Sequence, residues 1–317
     1  MEAIQPINPF PQCEECLRSL ARSSLVLGRP ENADLLSEAE KKAGEIIEKS
    51  KDQGLTSPEI ANRILDEVTH LSGVPDPFVD FKAKEMEIAQ EIFSRVEGEI
   101  GSSLRSRIVL SVLGNSLDFF KNPEEALAQI PVDLQRGLHF YLDDIDRLDR
   151  FLSKRPGLVL FFSDNSGEIY FDIPLFDYVK ERSVRTVLVV KGGPSLNDLT
   201  RAELHRAGLD RKFEHIVDTG TKGAGIPWGD VPGTFVDLVE GCNLILSKGM
   251  ANFETVYPRN LPCPVFFLFK VKCKPVQDYL KAKTDSFVAL WKKGERREGM
   301  NDEQKRKEDW EAPHPHR

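Results

Sequence analysis

A chain of 317 residues can bury one large core or two smaller ones, and the length favours two domains. Its 43 basic and 51 acidic residues leave a formal charge of −8, which argues against nucleic acid as the main partner, because such binding needs a basic face against phosphates. No charged-then-apolar leader opens the chain and no apolar run reaches the ~18 residues needed to cross a bilayer, so a cytoplasmic protein without membrane contact is expected.

The first feature in chain order is Cys13-Glu14-Glu15-Cys16. Two thiols at this spacing suit a redox pair or half of a metal site, or simply a helix start packed on the core. The five cysteines are odd in number, so a disulfide framework is not expected. From about 13 to 153 the apolar spacing is helical. One stripe is Leu36, Ala39, Ala43, Ile46 and Ile47; a second is Ile60, Ile64, Val68 and Leu71, opened by Ser57-Pro58 as cap and first-turn proline; a third is Leu104, Ile108, Val109, Val112 and Leu113. Residues 1–153 therefore read as an all-helical domain.

After Pro156 the period changes. Strand-like runs at 157–162, 185–190, 213–217, 242–247 and 264–269 alternate with helical segments at 168–181, 199–207, 234–240 and 251–257. Strand and helix in alternation imply right-handed crossovers and a three-layer α/β/α domain with a mostly parallel sheet, placed here at 154–291. The stretch 292–317 is charged and has little to bury, so it reads as a solvated tail.

Polar clusters follow several of these strands. They are Asp164-Asn165-Ser166-Gly167-Glu168, then Lys191-Gly192-Gly193-Pro194-Ser195-Leu196-Asn197-Asp198, then Lys248-Gly249-Met250-Ala251-Asn252-Phe253-Glu254, and finally Lys270-Val271-Lys272-Cys273. In a parallel sheet all four loops open on one edge, where such folds bind ligands. Asp164, Asn165 and Asp198 offer the hard oxygens that magnesium or manganese favours. Gly167 opens a helix, and lysines such as Lys191 and Lys248 suit phosphate oxygens. Any one cluster alone also serves as an ordinary turn or cap; their recurrence at equivalent places favours a metal and phosphate site. No G-x-x-x-x-G-K-S/T or G-x-G-x-x-G loop is present, and the six histidines do not cluster.

These residues resemble a known family, the metal-dependent damage-control phosphatases, also described as the acidic-residue methyltransferase-like domain. The resemblance runs over most of the chain. It is carried by Asp164-Asn165-x-Gly167-Glu168, by Lys191-Gly192-Gly193-Pro194 through Asn197-Asp198, and by Ser247-Lys248-Gly249-x-x-Asn252-Phe253-Glu254. Asp76-Pro77-Phe78 with Lys82, Gly114-Asn115-x-x-Asp118 and the Cys13/Cys16 pair, which is similar to the prokaryotic branch, add to it. The resemblance implies a divalent cation (manganese, cobalt, nickel or magnesium) on Asp164, Asn165 and Asp198. It also implies substrate contacts from the Gly249–Glu254 loop and Lys272, with Asn115 and Asp118 reaching the same cleft. Asp164 is then the candidate nucleophile or water-orienting group, and Glu168 the candidate to orient water or hold a sugar hydroxyl. The implied activity is hydrolysis of sugar phosphates or of damaged and overflow phosphometabolites. Two alternatives stand beside it: a carboxyl methyltransferase using S-adenosylmethionine, and a non-catalytic sensor of a phosphorylated metabolite.

Overall fold

The structure, a computed structural model, describes residues 5–28, 33–116, 130 and 132–295. Asp118 and residues 296–317 of the expected tail lie outside the described residues. Helices α1 (Glu14–Gly28), α2 (Ala33–Ser50) and α3 (Ser57–Ser72) pack on one another. The stripes read from the sequence face inward, with Ala39, Ala43, Ile47, Ile60, Ile64 and Val68 all buried. The cap of α3 differs by one residue from expectation: Thr56 sits at the N-cap, its backbone N–H donates to Glu59 Oε2 at 2.8 Å, and Ser57 is already helical. Pro58 occupies the first turn and Gly73, at φ 66°, ends the helix.

Two further helices, α4 (Val79–Val96) and α5 (Leu104–Ser116), lead into the sheet. Among the described residues its seven strands are β1 (Phe140–Asp143), β2 (Leu158–Phe162), β3 (Arg185–Val190), β4 (Ile216–Asp218), β5 (Leu244–Lys248), β6 (Val265–Lys270) and β7 (Phe287–Lys292). They lie in the order β1-β7-β6-β5-β2-β3-β4. The five from β6 to β4 are mutually parallel; β7 runs antiparallel to β6, and β1 is parallel to β7. The sheet therefore extends beyond the expected limits. β1 lies inside the stretch read as all-helical, and β7 carries the sheet to Lys292. The apolar content of both is short and mixed, as suits strands beside or at an edge.

Helices cover both faces. α6 (Ile145–Leu152), α7 (Ile169–Glu181) and α8 (Arg201–Arg206) join α4 and α5 on one side; α9 (Gly233–Glu240), α10 (Met250–Val256) and α11 (Lys274–Leu280) lie on the other. The central strands feed both layers by alternation. Val159, Phe161, Leu188, Val190, Leu244 and Leu246 enter one core, and Leu160, Phe162, Val187, Val189, Ile245 and Val265 the other. Double coverage explains why these strands read as unbroken apolar runs. The α1–α3 unit is pinned to the loop after β4 through Asn62, which accepts from the Ala224 N–H at 2.8 Å and donates to the Ala224 carbonyl at 3.2 Å.

Candidate metal and phosphate site

The chain runs outward from β2 through β3 to β4, then returns to start β5 on the other side of β2. The gap between the β2 and β5 ends is thus the switch point of the sheet, where such folds leave a crevice. Asp164 follows β2 and Gly249 follows β5. Gly249 holds φ 81°, and a Cβ there would come within 2.0 Å of Asp164 Oδ2. Only glycine lets the two loops approach this closely.

Asp164, Asn165 and Asp198 come together because two loops are stitched along their backbones. Asn165 pairs with Asp198 as an isolated antiparallel bridge, Leu199 N–H donates to Asp164 O at 2.9 Å, and Ser166 N–H donates to Asn197 O at 2.8 Å. Asp164 and Asp198 are buried, Asn165 half-buried. The Asp198 Oδ2 atom has no hydrogen-bond partner, and the nearest cation, Lys191 Nζ, is 3.9 Å away. Burial and the neighbouring Glu168 and Asp198 charges push the Asp164 carboxyl well above the usual carboxylate range. Burial likewise lifts Asp198 to about 6, against the pull of Lys191. Carboxylates crowded out of water with one oxygen unpaired make a donor set short of positive charge. Two carboxylates and an amide oxygen, all hard donors, fit a divalent cation with water completing its shell. Among the described residues no three His, Cys, Asp or Glu side chains form a metal cluster by themselves.

Behind this trio lies a fixed network. Asn115, from α5, donates to Asp164 Oδ2 at 2.9 Å and to Glu168 Oε1 at 2.6 Å, while its Oδ1 accepts from the Lys270 N–H at 3.3 Å. Asn165 also donates to Glu168 Oε1, at 2.6 Å. The other Glu168 oxygen faces Lys248 Nζ at 3.4 Å. Both oxygens of Glu168 are thus engaged, which suits it to orienting Asn115 and Asn165 more than to holding a water or sugar hydroxyl. Lys248 is wholly buried, 2.5 Å from Asp172 Oδ1 and 3.1 Å from the Ser111 carbonyl. Burial works to lower its pKa, but Asp172 and Glu168 outweigh that and raise it. Lys191 donates to Gly225 O at 2.6 Å and Asn252 Oδ1 at 2.9 Å, and burial pulls its pKa down. Asn252 donates in turn to Ser163 O and Lys248 O, at 2.9 and 2.7 Å. Lys191, Lys248 and Asn252, expected at substrate, are therefore internal struts of the site.

Lys272 is different. It is exposed, and its charge acts favourably on both Asp164 and Glu85. Glu254, expected at substrate, is buried with its carboxyl pushed up to about 8, and it neighbours the thiols of Cys13, Cys16 and Cys273. Cys13 is buried in the α1–α3 core, and that burial raises its thiol pKa; Cys16 is exposed.

Three contributors escaped the sequence reading. Glu85, on α4, accepts from Asn197 Nδ2 at 2.9 Å and from the Gly167 N–H at 3.4 Å, and burial lifts its carboxyl to about 8. A Cβ on Gly167 would lie 2.7 Å from Glu85 Cγ, which explains the glycine. Asp172 pairs with Lys248, and Ser111 Oγ donates to Asp172 Oδ1 at 2.5 Å. The four-residue step from Glu168 to Asp172 was a readable signal, since it puts both carboxylates on one helix face. Glu85 and Ser111 offered none. Lys82, on α4, is wholly buried between Asp76 and Glu203, each at 2.8 Å.

Comparison with known proteins identifies the family. The damage-control phosphatase ARMT1-like domain matches residues 10–288. The chain belongs to that family. A damage-control phosphatase of Pyrococcus horikoshii is 30% identical over 281 residues, 87% of this chain and 96% of its own. One from Archaeoglobus fulgidus is 28% identical over 289 residues, 88% and 97% of the two chains. The crystal structure of a DUF89 family protein from P. horikoshii superposes with a TM-score of 0.79 at 28% identity, covering 88% of this chain and 96% of that one. This damage-control phosphatase family member shares with that structure a helical region followed by a mostly parallel sheet. Among its described residues no helix is long and apolar enough to cross a membrane.

Proposed function

We propose that this chain is a divalent-metal-dependent phosphatase that hydrolyses monoesters of small phosphorylated metabolites, sugar phosphates among them. The observation that carries the reading is the buried, unpartnered Asp198 Oδ2 beside Asp164 and Asn165 at the switch point of the sheet. Asp164, Asn165 and Asp198 would hold the cation, which when bound supplies charge to the phosphoryl oxygens. Lys272, exposed, attracts the phosphate dianion and contributes to binding in both ground and transition states. Asn115 and Glu168 fix the Asp164 carboxylate, so the group nearest the reacting phosphorus is held in one orientation. Lys191 and Lys248 supply buried counter-charge that keeps the acidic network in place.

Turnover of p-nitrophenyl phosphate by metal-stripped protein, with manganese, cobalt, nickel or magnesium added back, tests the reading. Activity should vanish with chelator and return to different extents with different ions, since an all-oxygen site discriminates weakly among them. Full activity in the chelated protein overturns the metal role; no turnover with any ion overturns the phosphatase. Lys272→Ala should raise KM with little change in kcat, the mark of a charge that binds substrate and transition state alike. An unchanged KM would remove Lys272 from the phosphate site.

A further inference from the structure

At the amino ends of β5 and β6, away from the site, the fold brings two thiols together. Cys242 lies two residues before β5 and Cys263 two residues before β6. The strands pair in parallel with Ile245 opposite Val265, and the Ile245 N–H donates to Pro264 O at 3.0 Å, so the two approach segments run side by side. The two Sγ atoms are 2.8 Å apart. That falls between the about 2.05 Å of a disulfide and the distance at which two unbonded sulfurs rest. Both residues are buried among the apolar side chains of one face of the sheet.

We propose that Cys242 and Cys263 form an intramolecular disulfide when the protein meets a small-molecule disulfide oxidant, tying the start of β5 to the start of β6. One cysteine sulfur attacks the oxidant R–S–S–R, breaking its S–S bond, forming a protein–SR mixed disulfide and releasing one RSH. The other cysteine sulfur then attacks the protein sulfur of that mixed disulfide and expels the second RSH. The two cysteine sulfurs are oxidised, the oxidant is reduced to two thiols, and the two S–H protons leave on those thiols.

The surroundings allow the approach. Val239, Glu240, Leu261 and Pro262, all within three residues of one cysteine or the other, line a cavity of ≈ 480 Å³. Burial keeps the Cys242 thiol protonated, which slows exchange in the folded protein, so the bond forms most readily as the strands come together. Lys248 and Lys270 stand at the far ends of the same two strands, about 20–23 Å away at ~3.3 Å per residue. The bond therefore acts on stability and leaves the phosphatase site alone.

The test refolds the full chain in a mixture of oxidised and reduced glutathione, traps free thiols by alkylation, and maps the cysteines by mass spectrometry. Before alkylation the expected product is two hydrogens lighter than the reduced chain; after it, the Cys242 and Cys263 peptides are linked and Cys13, Cys16 and Cys273 are alkylated. Its melting temperature should fall by roughly 5 °C when a reductant is added, the scale of closing a loop of this length. Cys242→Ala with Cys263→Ala should melt at the same temperature with or without reductant. Complete alkylation of Cys242 and Cys263 after oxidative refolding overturns the proposal, as does a link to any other cysteine in their place. If the double variant fails to fold, the peptide map of the unaltered protein decides alone.

Discussion

The α1–α3 unit and the carboxyl edge of the sheet are buried to similar depth by opposite means. In the first, Leu17, Ala21, Leu25, Ile47 and Ile64 fill the interior, each 2% exposed or less. In the second, Glu168, Asp172, Lys248 and Asn252 are just as hidden. Burial of the first group is a gain of about 25 cal/mol per Å² of apolar surface. Burial of the second costs desolvation that ion pairs and hydrogen bonds only offset. The contrast teaches that depth alone says nothing about purpose: one region is buried for stability, while the other is stable enough to keep charge where chemistry needs it.

The contrast can be broken most forcefully at Lys248. Replacing it with Met leaves Asp172 and Glu168 facing each other without their shared cation, and stability should fall by about 3–5 kcal/mol in urea unfolding. A loss well below that would mean Asp172, whose carboxyl burial already lifts to about 6, takes up a proton at little cost. On the other side of the comparison, Ile64→Ala should cost about 2–5 kcal/mol by opening a cavity. Turnover per folded molecule should not change, because Ile64 belongs to the helical core.

Asp198→Asn sharpens the comparison by separating the two kinds of burial at a single position. Bound metal and phosphatase rate should each fall by more than ~10-fold, as when supporting groups at other metal sites are disturbed. The metal-free protein should melt no lower than the unaltered one, because the carboxylate removed has an unpartnered oxygen. Unchanged metal content and rate would refute the ligand role, since asparagine caps a turn as well as aspartate does.

A pH-dependent effect sits where the two regions meet. Glu254 on α10 is buried with a folded pKa of about 8, above its unfolded value. Its folded form therefore keeps a proton that the unfolded chain gives up, so stability falls as pH rises from the unfolded pKa towards 8, by up to about 1.4 kcal/mol per pH unit. Glu254→Gln should flatten that slope in denaturant titrations at several pH values. A slope that survives the substitution belongs to another group.

Much of this arrangement was legible in the chain. β2, β3, β5 and β6 announce themselves because helices cover both faces, which leaves unbroken runs such as Leu158-Val159-Leu160-Phe161-Phe162. That Asp164, Asn165 and Asp198 come together was readable because polar clusters follow neighbouring strands of a parallel sheet and open on one edge. β1 and β7 were not, since Phe140-Tyr141-Leu142-Asp143 is too short for periodicity and β7 ends in a lysine next to a charged stretch. The direction of a side chain was also beyond reach. Lys191 and Lys248 end their strands as expected, yet their ammonium groups turn inward to Asn252 and Asp172. Only a contact from a distant helix, the Ser111 carbonyl on α5 accepting from Lys248, reveals that turn.

The sheet's outermost strands carry a last consequence. β4 has three residues and β1 four, the shortest of the seven, while the apolar strands with five or six residues lie between them. An exposed edge is where another chain can add itself, and its reach is set by how many unpaired backbone groups it presents. Long apolar strands here have both neighbours in place, and what remains at each margin is too brief to template a partner. Among the described residues, a further copy adding itself at either border would thus find few backbone groups to pair with.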